Sequence, residues 1–175
     1  MMKKMLIEFK FNKQKAIEVI LFFANKRPSI DEMSLYKFMF FADEEHLNRY
    51  GRTIFGGHYV AMPYGPVPSQ VRDLLRKENH TEFVTDDYMI TAQRKPDLNY
   101  LSASDIEVMN LIYKKLKNYS ARQLSDLSHQ HRAWNKARNT NSLRNNNRVD
   151  FKDMIREENT ELINELEESS KYILI

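Results

Sequence analysis

The stretch from Leu35 to Leu75 reads LYKFMFFADEEHLNRYGRTIFGGHYVAMPYGPVPSQVRDLL, and it changes backbone character three times. Leu35, Phe38, Met39 and Ala42 recur at helical spacing, with Phe40 and Phe41 thickening the face, which predicts a helix up to Tyr50. Gly51 then fits the left-handed residue that closes many helices. Thr53 to Gly57 reads as a turn, and His58 to Met62 as a strand. Pro63-Tyr64-Gly65-Pro66-Val67-Pro68 is neither helix nor central strand, because proline donates no ladder hydrogen bond. Pro68 is placed to open a helix running to about Lys77, with Val71, Leu74 and Leu75 inward. The chain's four glycines all lie between Gly51 and Gly65, and three of its five prolines, Pro63, Pro66 and Pro68, cluster at the end of that window. A chain of 175 residues would carry about twelve glycines at average usage, so this one corner takes the special backbone geometry.

Outward from that corner the signals are helical. Asn12 caps a largely buried helix to about Asn25, built on Ile17, Ile20, Leu21 and Ala24 and ended by Arg27-Pro28. The Leu35 helix starts near Asp31, capped by Ser29 with Glu32 or by Asp31 with Ser34. Phe83-Val84 and Tyr88 to Thr91 read as short strands around Asp86-Asp87, able to form a small sheet with residues 57–62. Ser102 or Ser104 caps a helix to about Lys117, and Ser120 caps another with Leu124 and Leu127 buried. Residues 131–138 continue as a helix around Trp134, and Phe151 to Leu166 reads as one final amphipathic helix. The expected fold is a compact single helical domain, mainly α with a small antiparallel β-sheet (α+β). Folding buries about 70% of the unfolded surface of a chain this long.

Composition excludes several classes. Without cysteine there is no disulfide scaffold, thiolate zinc site, iron–sulfur cluster or thiol nucleophile. That absence fits the cytoplasm. The longest apolar stretch, Ala16 to Ala24, is interrupted by Glu18 and too short to span a bilayer, so no membrane partner is expected. Asn25, Lys26 and Arg27 follow it where a cleavage site needs small residues, so no secretory signal is expected.

Charge is zoned. Residues 1–111 are neutral, residues 112–148 carry a net charge of +8, and residues 150–175 carry −5. The basic zone suits operator DNA, with Arg122, Arg132, Lys136 and Arg138 as contacts, or it faces the acidic segment of the same chain. Residues 104–128 have helix–turn–helix spacing, and Arg122, Gln123, Ser125 and Ser128 would lie on the second helix's exposed face. Asn139 to Asn147 is a polar, low-complexity loop.

A search for catalysis finds no signature. Asp43, Glu44, Glu45 and His46 are the densest reactive cluster, and Asp43 and His46 are helix neighbours. An acid–base pair or metal site there would need a further convergent ligand, which no spacing announces, so the cluster reads as a solvated helix end. His129 and His131, two apart, point different ways on a helix, and at least one is structural. The glycines match no phosphate-cradling loop and no nucleophile elbow. Neither a cofactor nor a metal is expected.

The run from Leu35 to Leu75 resembles the Panacea (SocA-like) antitoxin domain family in Phe41-Ala42-Asp43, Tyr50-Gly51, Tyr59-Val60-Ala61 and Gly65-Pro66-Val67-Pro68. A second block also matches: Leu101-Ser102-x-Ser104-Asp105, Ser120-Ala121-x-x-Leu124-Ser125, His129 and Trp134. The resemblance implies a domain over residues 1–158, with an acidic helix and apolar end over 159–175. It implies an antitoxin without catalytic activity that neutralises a cognate protein toxin by contact. A narrower implication is an adaptor for a cellular protease, with the apolar end Lys171 to Ile175 as a recognition tag. Fixed aromatic loops lose little entropy on docking, so the expected partner contacts are Tyr50, His58, Tyr59, Tyr64, Gly65, Pro66, Val67 and Pro68. The alternative for this segment is a strand-to-helix turn with Tyr64 packed inward. Trp134 is expected to be a buried anchor.

Overall fold

A computed structural model describes residues 6–77, 79–139 and 147–172. Helix α1 (Lys13–Lys26) is capped by the Asn12 side chain, and its residues from Ala16 to Ala24 are all buried. Helix α2 (Glu32–Tyr50) begins at Asp31, whose carboxylate accepts from the Ser34 N–H, and ends at Gly51 with φ 73°. Every residue from Ser34 to Asp43 is buried, so α2 is the central post of the domain. Phe23 of α1 stacks on Phe38 of α2 with ring centroids 5.3 Å apart.

Strands β2 (Tyr59–Met62) and β3 (Gly65–Pro68) form a hairpin with Pro63-Tyr64 at its tip, and Pro68 leads into α3 (Ser69–Arg76). Pro68 is the extended residue before that helix rather than its first turn. A second hairpin, β4 (Phe83–Asp86) and β5 (Met89–Ala92), is followed by a single 3-10 turn at Leu98–Tyr100. Helices α4 (Ala103–Leu116) and α5 (Ala121–His129) each start with a full capping box, from Ser102 with Asp105 and from Ser120 with Gln123. Leu124 is buried and Leu127 half-buried. The chain continues through α6 (Arg132–Asn139), α7 (Phe151–Met154) and α8 (Thr160–Tyr172). The domain is thus mainly helical with small antiparallel sheets, as the hydrophobic periodicity predicts. No helix among the described residues is long and apolar enough to cross a membrane.

Two further sequence expectations are corrected. The 83–92 hairpin does not join residues 57–62; β5 pairs instead with β1 (Ile30–Asp31), just before α2. Both edges of β2 are already taken, one by β3 and the other by residues 147–149, where Ala61 N–H donates to the Asn147 carbonyl and Val149 N–H to that of Tyr59. Likewise, Phe151 to Leu166 is not one helix. Between α7 and α8 the backbone turns to side chains from elsewhere: Asn48 donates to the Met154 carbonyl at 2.9 Å and accepts from the Arg156 N–H at 2.8 Å. Arg132 donates to the Ile155 carbonyl at 2.7 Å. Most of the Asn139–Asn147 loop and the last three residues of the apolar end lie outside the described residues.

Candidate functional site

The corner between α2 and α3 is built on Asp43. Its carboxylate is fully buried, contrary to the solvated helix end expected from the acidic run. One oxygen accepts from the Ile54 N–H and the other from the Tyr59 hydroxyl, each at 2.7 Å. One side chain therefore ties α2 to the turn after Gly51 and to β2. Burial pushes the Asp43 carboxyl up to about 7, against the lowering effect of those two hydrogen bonds.

His46, three residues on, is buried as well. Its Nδ1 lies 2.8 Å from the Arg52 carbonyl, so Nδ1 carries the proton and donates there. Its Nε2 accepts from the Ser104 hydroxyl at 3.0 Å and lies 3.2 Å from Asp105. Desolvation lowers the imidazole's proton affinity, keeping it neutral. Asp105 caps α4 and also meets Lys15 at 2.7 Å and Arg52 at 3.1 Å, contacts that hold its carboxyl low despite burial. The two sequence blocks thus meet in one buried polar knot. It fastens α1, α2 and α4, and no group of side chains suited to a metal ion occurs among the described residues.

A pH dependence follows from Asp43. A carboxyl whose folded pKa is raised adds stability that is complete below the unfolded pKa near 4 and is lost as pH rises through about 7. Relative to an Asp43→Asn protein, the wild type should gain about 1.4 kcal/mol per unit as pH falls from about 7 to about 4. Urea melts of both proteins across that window measure it. Parallel stability curves would remove the buried-carboxyl account.

The second block also holds the β2–β3 hairpin. Pro63, Pro66 and Pro68 lack N–H groups, so this ladder is short of donors. Side chains replace them. Trp134 Nε1 donates to the Met62 carbonyl at 2.9 Å, Ser125 to that of Tyr64 at 2.9 Å, and Lys37 Nζ to that of Pro66 at 3.2 Å. Helices α6, α5 and α2 each grip one carbonyl of the tip. Trp134 stacks on His129 at 4.2 Å, but it is half-buried rather than the buried anchor expected. Lys37 is itself buried, which lowers its pKa to about 8. At Gly65, with φ 113°, a Cβ would lie 2.3 Å from Ser128 Oγ and 2.5 Å from Lys37 Cε.

The expected contact set divides accordingly. Tyr59, Gly65, Pro66, Val67 and Pro68 are buried and shape the corner from inside. His58 is half-buried and locked by Gln70, which accepts from its backbone N–H and donates to its Nδ1, both at 3.0 Å. Tyr64 is 68% exposed, so it is not packed inward. Tyr50 is exposed too, but it sits at the far end of α2 and bonds Glu107. Tyr64 lies beside Tyr36, near the start of α2. Fourteen residues of helix, about 20 Å, separate Tyr36 from Tyr50, so Tyr50 and Tyr64 do not form one patch.

The basic residues are largely engaged. Arg132 pairs with Glu157, Lys136 with Asp153, and Arg138 reaches the Ala61 carbonyl, while Arg122 is exposed. Ser125 and Ser128 are buried against the hairpin and not on an exposed face of α5. The second histidine, His131, accepts from the Ala133 N–H at the start of α6 and meets Glu44 at 3.1 Å.

An all-round buried central helix, a polar knot and a gripped hairpin tip define a small helical domain with a preformed surface loop. Residues 35–135, more than half of the chain and inclusive of both blocks, match the family described as antitoxin SocA-like, Panacea domain. The protein belongs to that family, whose role is of the antitoxin type. No curated protein and no solved structure matches the chain.

Proposed function

We propose that this protein is the antitoxin of a bacterial or phage toxin–antitoxin pair and neutralises its cognate protein toxin in the cytoplasm by direct, stoichiometric binding. The family match over residues 35–135 carries this reading. The gripped tip supports it, because a loop already held in its bound shape loses little entropy on docking. The proposed neutralising domain is residues 1–158. Residues 159–175 form the remaining segment, whose helix α8 braces the end of α2, where Leu162 approaches Gly51. No bond-making step is assigned to it.

The test is co-expression with the neighbouring gene. That gene alone should arrest growth, the pair should restore it, and the two proteins should co-purify in equal amounts. A harmless neighbour, or one that stays toxic beside this protein, removes the proposal.

A further inference from the structure

Two hairpin tips face the start of α2, and a groove of about 560 Å³ runs between them. Its walls are almost wholly apolar, formed by Met33, Tyr36, Met62, Tyr64, Val67 and Tyr88. Tyr64 stands on the β2–β3 tip and Tyr88 on the β4–β5 tip, 68% and 71% exposed. Rings this exposed contribute little burial to the fold.

Tyr88 is also held in an unusual backbone state. Asp87 and Tyr88 both have positive φ, 45° and 62°, in the two-residue turn between Asp86 and Met89. Such a turn favours Asn-Gly, and a bulky residue there is an outlier. The Tyr88 carbonyl accepts from the Glu32 N–H at 2.8 Å, which fixes this tip against α2. Both aromatic tips are therefore immobilised by other elements before anything docks.

The charges around the groove are unequal. Asp31 is occupied in capping Ser34, and Glu32 accepts from the Tyr36 hydroxyl. Arg76 stands 3.9 Å from Glu32. Arg72 lines the groove half-buried and makes no hydrogen bond or ion pair among the described residues. An incoming carboxylate would thus meet a cation with no ion-pair partner among the described residues.

We infer that this groove seats an apolar segment of the toxin, clamped between Tyr64 and Tyr88, with an acidic side chain of that segment on Arg72. The inference rests on the antitoxin reading and names the surface it uses. Truncating an aromatic clamp at the centre of an interface weakens binding about 30-fold or more. The probe is the purified product of the neighbouring gene, titrated calorimetrically against full-length variants. Tyr64→Ala and Tyr88→Gly should each weaken binding by about that factor, and Arg72→Glu by at least about tenfold. Glycine is at ease at positive φ, so Tyr88→Gly leaves the turn intact. Melting temperatures should stay unchanged, and Leu111→Ser, on the exposed face of α4, should bind like the wild type.

If the wild type binds and rescues while the Tyr64→Ala/Tyr88→Gly double variant does so equally well, the groove assignment is overturned and the antitoxin role stands. If the wild type binds no such toxin, both fall together. If sedimentation shows a wild-type dimer that the double variant dissolves, with toxin binding untouched, the occupant is a second copy and the inference is wrong.

Discussion

Replacing Asp43 with alanine is expected to lower unfolding free energy by about 3–5 kcal/mol, the sum of two buried donors left without acceptors and a small void. Those donors are the Ile54 N–H and the Tyr59 hydroxyl. Removing the carboxyl also removes its own desolvation, which keeps the loss from being larger. For a domain of this length the melting temperature should fall by about 6–20 °C. Asp43→Asn keeps an acceptor for Ile54 and should cost about 1–2 kcal/mol. Thermal and urea unfolding of the two variants provide the comparison. Equal losses would mean that Asp43 acts through volume alone.

Gly65→Ala is the other large effect, expected at about 3 kcal/mol from a strained backbone and a forced contact combined. The added carbon meets the ends of Ser128 and Lys37. Lys37 must then release the Pro66 carbonyl, and its buried ammonium loses the acceptor that holds it. Ser128→Gly in the same chain frees part of the space and should recover roughly 1 kcal/mol, while the positive φ keeps the rest lost. Toxin affinity should fall with stability, because the displaced tip carries Tyr64. A Gly65→Ala protein that melts like the wild type would show that the corner is pliable.

Local signals were legible in the sequence wherever the chemistry is local. The Asn12, Ser102 and Ser120 caps and the Gly51 stop depend on residues within one helical turn. The buried knot was not legible. An Asp-Glu-Glu-His run at a helix end looks solvated until Tyr59 and Ser104 arrive from elsewhere in the chain. Strands of two to four residues hold too little pattern to specify partners, so the pairing of Ile30-Asp31 with β5 was missed. The break between α7 and α8 is set by Asn48, more than a hundred residues upstream. Tyr88 carried no turn signal, because aspartate followed by tyrosine lacks the glycine that marks such corners.

Among the described residues, the side-chain hydrogen bonds that grip the hairpin tip go to main-chain carbonyls, at Met62, Tyr64 and Pro66. A carbonyl is the same whatever side chain follows it. Trp134, Ser125 and Lys37 therefore hold the shape of the tip without regard to which residue stands at position 64. The outward side chain becomes an interchangeable fitting on a fixed mount. Exposed substitutions of this kind usually change stability by less than about 0.5 kcal/mol. New partners can thus be tried at that position while the fold underneath stays as it is.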